Sequence, residues 1–303
     1  MAVTNFPNGI SAFGAMVLPA TTGNVWFVAA SGGSNGNDGK SPARAFSTLD
    51  NAINNTTANN GDVIVLLPGA HSWAASAAAD VAGVTIMGLP GNYLRPRASI
   101  TTSAADEIIN VTAANIEIAW LRVIVVTAQT GIDFTVDATN LYVHDCSFDM
   151  SATASTSTIG VGHPGTVYTT APTNLLIDHN YFEVVGAQGP AIKLGDAADF
   201  VVSNNTIAVK GGTLAVATQQ YGVLGWGVYR DNNFPVYKNA TITRGITGTD
   251  LTSTLSVAIL RNYFTPTTTA PIDDWGSTDA AIAENYMAST GGAGGGVLWS
   301  SIT

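Results

Sequence analysis

Two acid–histidine pairs are the residues of this chain whose types and spacing could carry chemistry. His144 is followed by Asp145, and Asp178 is followed by His179. Two carboxyl groups held about 5 to 9 Å apart can hydrolyse a glycosidic bond, one as an acid and the other as a base or nucleophile. If the protein is an enzyme, these four residues are the candidate catalytic group.

A recurring nine-residue frame positions both pairs. Its best-formed copy runs from Asn174 to Phe182, with apolar residues one and three places after Asn174, a second Asn after six and an aromatic after eight. Copies of this frame, the first two partial, start at residues 62, 83, 115, 140, 174, 199, 233, 256 and 279. A repeat of this length indicates a solenoid, in which each unit buries its apolar face against its neighbours.

Within each frame the apolar residues alternate with variable ones, which is the period-two pattern of a strand with one face inward. We therefore predict an all-β chain: a single-stranded right-handed parallel β-helix of about nine rungs. A capping helix over Thr48–Asn54 is predicted from the Ser47-x-x-Asp50 capping box. An extended N-terminal arm precedes it.

The second asparagine of the frame predicts a turn. Asparagine tolerates the left-handed backbone conformation, and stacked side-chain amides can bond one another from rung to rung. We expect such a structural ladder at Asn180, Asn205, Asn239, Asn262 and Asn285. Cys146 holds this place on an earlier rung, so we expect the single cysteine to be buried and no disulfide to form.

The outward positions of the frame weigh against catalysis. Ser203 and Asn204 hold the places next to Asp178 and His179, so a third acid is missing there, and no arginine neighbours the acid–histidine pairs. Polar residues at solvated turns give the same pattern. We therefore predict no enzyme activity, no cofactor and no metal, with hydrolase or lyase chemistry as the alternative.

Another outward position, two places into the frame, is apolar from Leu176 onward. It continues through Val201, Pro235, Ala258 and Ala281. A contiguous apolar surface usually marks a protein interface. The pattern favours side-by-side association of coils, most simply a homotrimer, with Leu176 and Val201 in the interface.

Composition excludes several classes of function. The 303 residues carry a formal net charge of −10, which argues against binding nucleic acid through phosphates. The longest apolar runs have the length of strands, so we predict no membrane span. The cluster Asn35, Asn37, Asp38 and Gly39 misses the spacing of an EF-hand loop, which favours a structural turn over a calcium site.

We divide the chain into an anchoring arm (1–24), an entry strand, loop and capping helix (25–60), the β-helix (61–288) and a Gly-rich tail (289–303). The arm is too broken by Pro and Gly to bury its own apolar residues, so we predict that it docks on another chain. Its predicted contacts are Phe6, Pro7, Ile10, Phe13, Met16, Val17 and Leu18. Segments 149–172 and 210–232 are interpreted as insertions on one side of the coil, and Val297–Trp299 as an apolar hook that caps the last rung.

The segment Val28–Ile53, V-A-A-S-G-G-S-N-G-N-D-G-K-S-P-A-R-A-F-S-T-L-D-N-A-I, is followed by G-D-V-I-V-L-L-P-G. Together they resemble the N-terminal entry of pectin-lyase-like β-helix proteins. The resemblance implies that fold over about Trp26 to Met287. It specifies the fold far better than the chemistry, because this scaffold hosts lyases, hydrolases and inert proteins.

The opening N-F-P-N-G-I-S-A-F-G, Asn5 to Gly14, resembles the N-terminal segment of many small phage structural proteins. We therefore predict a non-enzymatic virion protein: a phage capsid decoration, cement or head-fibre protein bound to the major capsid protein or another virion protein. The alternatives are a tailspike-type or secreted polysaccharide depolymerase and an adhesin. The N-terminus lacks the pattern of a secretion signal, so assembly in the host cytoplasm is expected. A glycan remains a further candidate ligand.

Overall fold

The computed structural model describes most of the chain as a coil of short parallel strands. The described residues are 10–12, 15–18, 21–90, 94, 96–103, 107–126, 128–135, 137–151, 158–165, 172–195, 197–221, 226–237, 240–249, 256–265, 268–273, 279–287 and 296–298. They include no helix long and apolar enough to span a membrane.

Each turn of the coil contributes to three sheets. The strands of the first sheet are Val25–Val28, Val63–Leu66, Thr85–Gly88, Glu117–Ala119, Tyr142–His144, Thr173–Asp178, Ala198–Ser203, Trp226–Arg230, Ser256–Leu260 and Asp279–Ala283. All of these pair in parallel with their neighbours, in the order of the chain. This sheet carries the frame's first apolar positions, so their alternation produces its inner face.

The second and third sheets complete each turn and are joined through one long strand, Thr206–Tyr221. The other strands of the second sheet are Gly69–Trp73, Ala98–Thr102, Leu121–Ile124, Ser147–Met150, Tyr181–Val185, Asn233–Phe234, Tyr263–Phe264 and Asn285–Met287. Those of the third are Ala77–Ala79, Glu107–Val111, Thr130–Phe134, Ile159–Gly162, Ile192–Lys193, Ala240–Thr249 and Thr268–Asp273.

The all-β parallel coil predicted from the sequence is confirmed, while the number of rungs differs in detail. Six successive turns between Val63 and Tyr221 have a strand path on all three sheets. The predicted nine are reached only by counting the turns after Tyr221. There the strands of the second sheet shorten to two or three residues.

The N-terminal opening of the coil is closed by a short helix, Leu49–Ile53. Thr48, rather than the predicted Ser47, is its N-cap, and its side-chain oxygen accepts a hydrogen bond from the Asn51 amide. Leu49, Ala52 and Ile53 are buried against the coil. A single-turn 3₁₀ helix, Pro42–Arg44, lies in the preceding loop, where Asp38 pairs with Arg44.

The interior of the coil is lined by stacked apolar side chains, one from each turn. Inside the second sheet, Phe148 stacks on Phe182 with ring centres 4.6 Å apart, and Phe234 stacks on Phe264 at 4.7 Å. Such aromatic pairs contribute about 0.5 to 1.5 kcal/mol beyond the area that they bury. The frame's aromatic position therefore stabilises the vertical register between turns.

A buried ladder of asparagine side chains follows the first sheet. Each Asn Oδ1 accepts a hydrogen bond from the backbone N–H of the ladder residue on the preceding turn, and each Nδ2 donates to a backbone carbonyl of that turn. Its members are Asn180, Asn205, Asn232, Asn262 and Asn285. The place predicted for Asn239 belongs to Asn232, because the turn begins at Trp226 and not at residue 233; Asn239 itself lies outside the described residues.

The sequence predicted that the ladder asparagines would themselves take the left-handed backbone conformation of the turn, and the structure differs. The residue immediately before each ladder position has the left-handed conformation, and the ladder asparagines do not. These corner residues are Trp120, Asp145, His179, Asn204, Asp231, Arg261 and Glu284, with φ between 51° and 58°. The asparagine must point inward to bond its neighbours, so the preceding outward-facing residue takes the strained conformation.

Both segments interpreted as insertions contain strands of the third sheet. Ile159–Gly162 lies within the first, and much of Thr206–Tyr221 lies within the second. The frame describes two sides of the coil, so the residues that form the third side were assigned to loops. Parts of both segments lie outside the described residues.

The two ends of the chain also form strands. Ile10–Ala12 pairs antiparallel with Ala15–Leu18 in a separate hairpin, where an extended arm was expected. Phe6, Pro7 and Phe13 lie outside the described residues. Gly296–Leu298 pairs antiparallel with Asn285–Met287, so part of the predicted hook adds a strand to the last turn.

Candidate functional site

The candidate catalytic residues lie on the outer face of the first sheet, near its middle. His144, Asp178, Ser203 and Arg230 occupy one register column on four successive strands. Adjacent strands lie about 4.8 Å apart, so this column is a straight row of polar side chains. The structure therefore brings His144 and Asp178 onto neighbouring strands, as the sequence predicted.

His144 is held between two carboxylates. Its Nδ1 lies 2.8 Å from an oxygen of Asp145, and its Nε2 lies 2.9 Å from an oxygen of Glu117. Burial alone lowers the pKa of His144, but hydrogen bonds to Glu117 and Asp145 outweigh it and raise that pKa above its ordinary value. The imidazolium form, with both nitrogens donating, fits this arrangement.

Asp178 is enclosed by donors from its own turn and the next. Ser203 Oγ donates to it over 2.6 Å and Asn204 Nδ2 over 2.9 Å, while a ring nitrogen of His179 lies at 3.4 Å. Burial raises the pKa of Asp178, but these hydrogen bonds outweigh burial and lower it below its ordinary value. Asp178 is therefore a stable carboxylate at neutral pH.

Tyr142 covers the histidine. Its ring stacks on that of His144 with centres 4.0 Å apart. Burial, followed by the negative charges of Asp178, Asp145 and Glu117, raises the pKa of Tyr142 to about 12. Its hydroxyl therefore keeps its proton at neutral pH.

Two residues of this site were missed in the sequence. Glu117 supplies the third carboxylate, and Arg230 stands two strands beyond Asp178 in the same column. The turn after Asp178 carries Ser203 and Asn204, as predicted; the added acid lies on the turn before His144, and Ser203 separates the arginine from Asp178. Glu117 lies in the neighbouring outward column, one turn before His144, and diagonal neighbours on a sheet are within reach of long side chains. That diagonal spacing is the signal that could have identified it.

The arrangement gives a weak basis for hydrolysis. Glycosidases need one carboxyl group that keeps a proton near neutral pH beside another that does not. Here the hydrogen bond from His144 is the main cause that lowers the pKa of Glu117, and the pKa of Asp178 is lowered as well. Ser203, the nearest hydroxyl to Asp178, is 1% exposed, so substrate cannot reach it as a nucleophile. The contacts favour a network that ties turns together.

The polar site lies between two apolar regions of the same face. On its N-terminal side is a buried outer cluster: Val25, Val63, Val65, Met87 and Ala119. On its C-terminal side is a partly exposed outer strip, which consists in register order of Leu176, Val201, Val228, Ala258 and Ala281. Val228 takes the place predicted for Pro235, again because the turn begins at Trp226.

The remaining candidate ligands, in the entry loop and at Cys146, have structural roles. Among the described residues, no group of three or more His, Cys, Asp or Glu side chains could hold a metal ion. Asn35 in the entry loop accepts hydrogen bonds from the amides of Ser47 and Thr48. Cys146 is fully buried at the head of the ladder, and burial raises its pKa to about 12.

The His144 network predicts a pH-dependent contribution to stability. A raised histidine pKa stabilises the fold below its unfolded value of 6.5, and this contribution is lost as pH rises through the folded pKa. The lowered pKa of Glu117 contributes above 4.5 and is lost as pH falls. In urea titrations, the stability difference between the wild type and His144→Gln should therefore be largest between about pH 4.5 and 6.5 and shrink above it.

His179→Gln is the matched control, because His179 is exposed and contacts one carboxylate. It should retain the pH profile of the wild type between pH 6 and 9, within about 0.5 kcal/mol. If His144→Gln and the wild type differ by a constant amount over that range, the network does not work as described.

Comparison with known proteins indicates fold and little more. No family model matches the chain, and no curated protein sequence matches it. Among solved structures, a pectin methylesterase from Aspergillus niger aligns over 88% of this chain and 86% of its own, at 15% identity and a TM-score of 0.53.

Two further solved structures are more distant. A pectate lyase covers 86% of the chain at 13% identity and a TM-score of 0.35. The ORF18 protein of Geobacillus virus E2 covers 79% of the chain and 57% of its own, at 11% identity and a TM-score of 0.32. Likeness at these scores supports no argument about this chain.

The resemblance of the entry segment to pectin-lyase-like proteins is confirmed at the level of architecture: the chain has the right-handed parallel β-helix fold that it shares with pectin methylesterase.

Proposed function

We propose that the chain is a non-enzymatic structural protein of a virion, which assembles through its N-terminal segment and the outer flank of its coil. The observation that supports a non-catalytic role is the state of the acid cluster. Glu117 and Asp178 are held as carboxylates by neighbouring side chains, and His144 has a carboxylate at each ring nitrogen. Neither carboxylate keeps a proton at neutral pH, and both N–H groups of the His144 imidazolium are engaged by carboxylates, so these three residues present no uncommitted proton to a leaving oxygen.

The outer strip supports assembly through the flank. Leu176, Val201 and Val228 are partly exposed on neighbouring strands of the first sheet, with alanines on the next two strands. Contiguous exposed apolar surfaces favour contact with another protein chain. We propose that three copies pack side by side along this strip and that the N-terminal segment binds a capsid or other virion protein. The virion location itself depends on the resemblance of Asn5–Gly14 to phage structural proteins.

An enzyme is the second candidate function, and two observations favour it. The chain has the fold of an enzyme that acts on pectin. Glu117 also adds an acid to the candidate group, and Arg230 places a cation two strands from Asp178. A polysaccharide esterase, lyase or hydrolase would therefore use the face that carries Asp178.

The purified full-length chain tests both proposals. Incubation with methyl-esterified pectin and with pectate, with and without calcium, should release neither methanol, reducing ends nor unsaturated products. Light scattering of the same sample should give the mass of a trimer, and the double variant Leu176→Asp with Val201→Asp should give that of a monomer.

The variant Asp178→Ala distinguishes true activity from contamination. Product release by the wild type that disappears in Asp178→Ala would replace the structural proposal with the enzymatic one. Ala70→Asp, on the exposed side of the second sheet, is the control for added charge and should leave the measured mass unchanged. A wild-type monomer would contradict association through the outer strip.

A further inference from the structure

The outer face of the second sheet carries exposed tyrosines that the proposed function does not use. Tyr263 and Tyr286 lie in register on adjacent strands, and each is 45% exposed. Tyr237, on the turn before them, is 51% exposed. Tyr181 belongs to the same outward column, through Thr206 and Asn233. We name these four residues the tyrosine face.

Aromatic exposure is concentrated on this face. Of the four strongly exposed large aromatic side chains among the described residues, three belong to the tyrosine face, and the fourth is Trp226 on the first sheet. A tyrosine presents an apolar ring and a polar hydroxyl, so it can contact a ligand that has both apolar C–H surfaces and hydroxyl groups. Saccharides have that chemistry.

Charged pairs lie among the tyrosines. Lys210 Nζ lies 2.7 Å from Glu183 and about 6 Å from the ring centres of Tyr181 and Tyr237. Arg261, on the turn before Tyr286, donates two hydrogen bonds to Asp231, at 2.8 and 2.9 Å. Protein interfaces exclude charges from their centre, whereas these pairs are interleaved with the rings. The arrangement thus favours a hydroxyl-rich ligand over an apolar protein surface.

The charge balance distinguishes between kinds of saccharide. Of the residues that the structure describes around the tyrosine face, Lys210 and Arg261 are each paired with a carboxylate, and the whole chain carries a net charge of −10. An acidic polysaccharide would meet repulsion and find Lys210 and Arg261 already paired. A neutral sugar meets no such penalty, and the paired carboxylates and guanidinium can still exchange hydrogen bonds with hydroxyl groups.

The dimensions also suit a chain of sugars. Tyr263 and Tyr286 are on strands about 4.8 Å apart, and Tyr237 lies four residues beyond Asn233, about 13 Å along the strand direction. Pro235 occupies the outward position between Asn233 and Tyr237, so only a short side chain separates the tyrosine column from the ring of Tyr237. We propose that the tyrosine face binds a neutral oligosaccharide by stacking sugar rings on Tyr237, Tyr263 and Tyr286.

The test is titration calorimetry of the full-length chain with cellohexaose, maltohexaose, mannohexaose and hexagalacturonate. At least one neutral hexasaccharide should bind, and hexagalacturonate should bind more weakly than it. The double variant Tyr263→Ala with Tyr286→Ala should weaken binding about tenfold or more. The matched pair Tyr263→Phe with Tyr286→Phe keeps the rings and should remain within about threefold of the wild type.

Trp226→Ala is the control for loss of an exposed aromatic elsewhere, and it should bind as the wild type does. All variants are at exposed positions, so their melting temperatures should match the wild type and exclude unfolding as a cause. The proposal is overturned if no neutral hexasaccharide binds, if hexagalacturonate binds most tightly, or if the alanine pair binds normally. If the phenylalanine variant binds much more weakly than the wild type, stacking on the rings is overturned as the binding mode. If the alanine variant has a lower mass in solution than the wild type, the tyrosines form an interface between copies and the proposal is overturned.

Discussion

Replacing Asn205 by leucine is expected to lower the free energy of unfolding by about 3 kcal/mol or more. Asn205 lies at the middle of the buried ladder and is 1% exposed. Its Oδ1 accepts from the backbone N–H and the Nδ2 of Asn180, and its Nδ2 donates to the Ile177 carbonyl. Leucine leaves these buried groups without partners, and each costs about 1 to 3 kcal/mol. Urea unfolding followed by far-ultraviolet circular dichroism measures the difference.

The chain contains its own control for this change. A second ladder runs along the surface, where Asn174 Nδ2 donates to Asn140 Oδ1 over 2.9 Å. Asn174 has a left-handed backbone with φ 56°, which glycine tolerates, and water can replace its exposed bond, so Asn174→Gly should cost less than about 1.5 kcal/mol. Equal losses for the buried and exposed positions would mean that burial of the amide is not what makes the inner ladder important.

Replacing Asp62 by alanine should have an effect of similar size at the N-terminal end of the coil. Asp62 is fully buried, and its carboxylate accepts from the backbone amides of Asn24 and Thr57, the Asn60 amide and the Trp26 indole. Hydrogen bonds to a charged group contribute about 1.5 to 3 kcal/mol each. We expect a loss of about 3 kcal/mol or more, measured by thermal and urea unfolding.

Acid should remove the same contribution in the wild type. Burial raises the pKa of Asp62, but its hydrogen bonds outweigh burial and lower it below 3.8. A lowered pKa stabilises the fold above the unfolded value and loses that effect as pH falls through the folded value. The difference between the wild type and Asp62→Ala should therefore be constant above about pH 5 and shrink below pH 4.

Two further variants of acidic residues sharpen this result. Asp62→Asn keeps the shape, but its amide nitrogen must face a group that is itself a donor, so it should also destabilise the protein. Asp50→Ala, on the exposed side of the capping helix, loses one hydrogen bond from Asn54 and should cost under about 1 kcal/mol. An Asp62→Asn variant as stable as the wild type would show that shape, not charge, closes the coil.

The sequence predicted the architecture because the period-two pattern and the repeated asparagine both arise from contacts between equivalent positions on successive turns. It failed at the turn that begins at Trp226. There Gly227 holds the first apolar place, and a Cβ atom on it would lie 2.2 Å from the ring of Phe200. Because the neighbouring phenylalanine fills this volume, the apolar signal of the frame disappears, and a false copy at 233 fits better.

The candidate site was predicted only in part for a similar reason. His144 and Asp178 share one column of the frame, so their proximity follows from the repeat. Glu117 reaches His144 from a different column on another turn, and the repeat does not encode the length or direction of that side chain. The pKa directions, which decide between a catalytic pair and a static network, depend on these contacts and could not be predicted from spacing.

The inner ladder has a consequence for how such a chain changes length during evolution. Each ladder asparagine from Asn180 to Asn262 makes the same set of bonds to the turn before it and offers the same amide to the turn after it. A whole turn can therefore be duplicated or deleted without leaving a mismatched partner at either joint. Insertion of a few residues inside a turn, by contrast, can be absorbed only where the chain leaves the ladder. The repeated buried amide bonds thus allow the chain to gain or lose whole turns, whereas an insertion of part of a turn would break them.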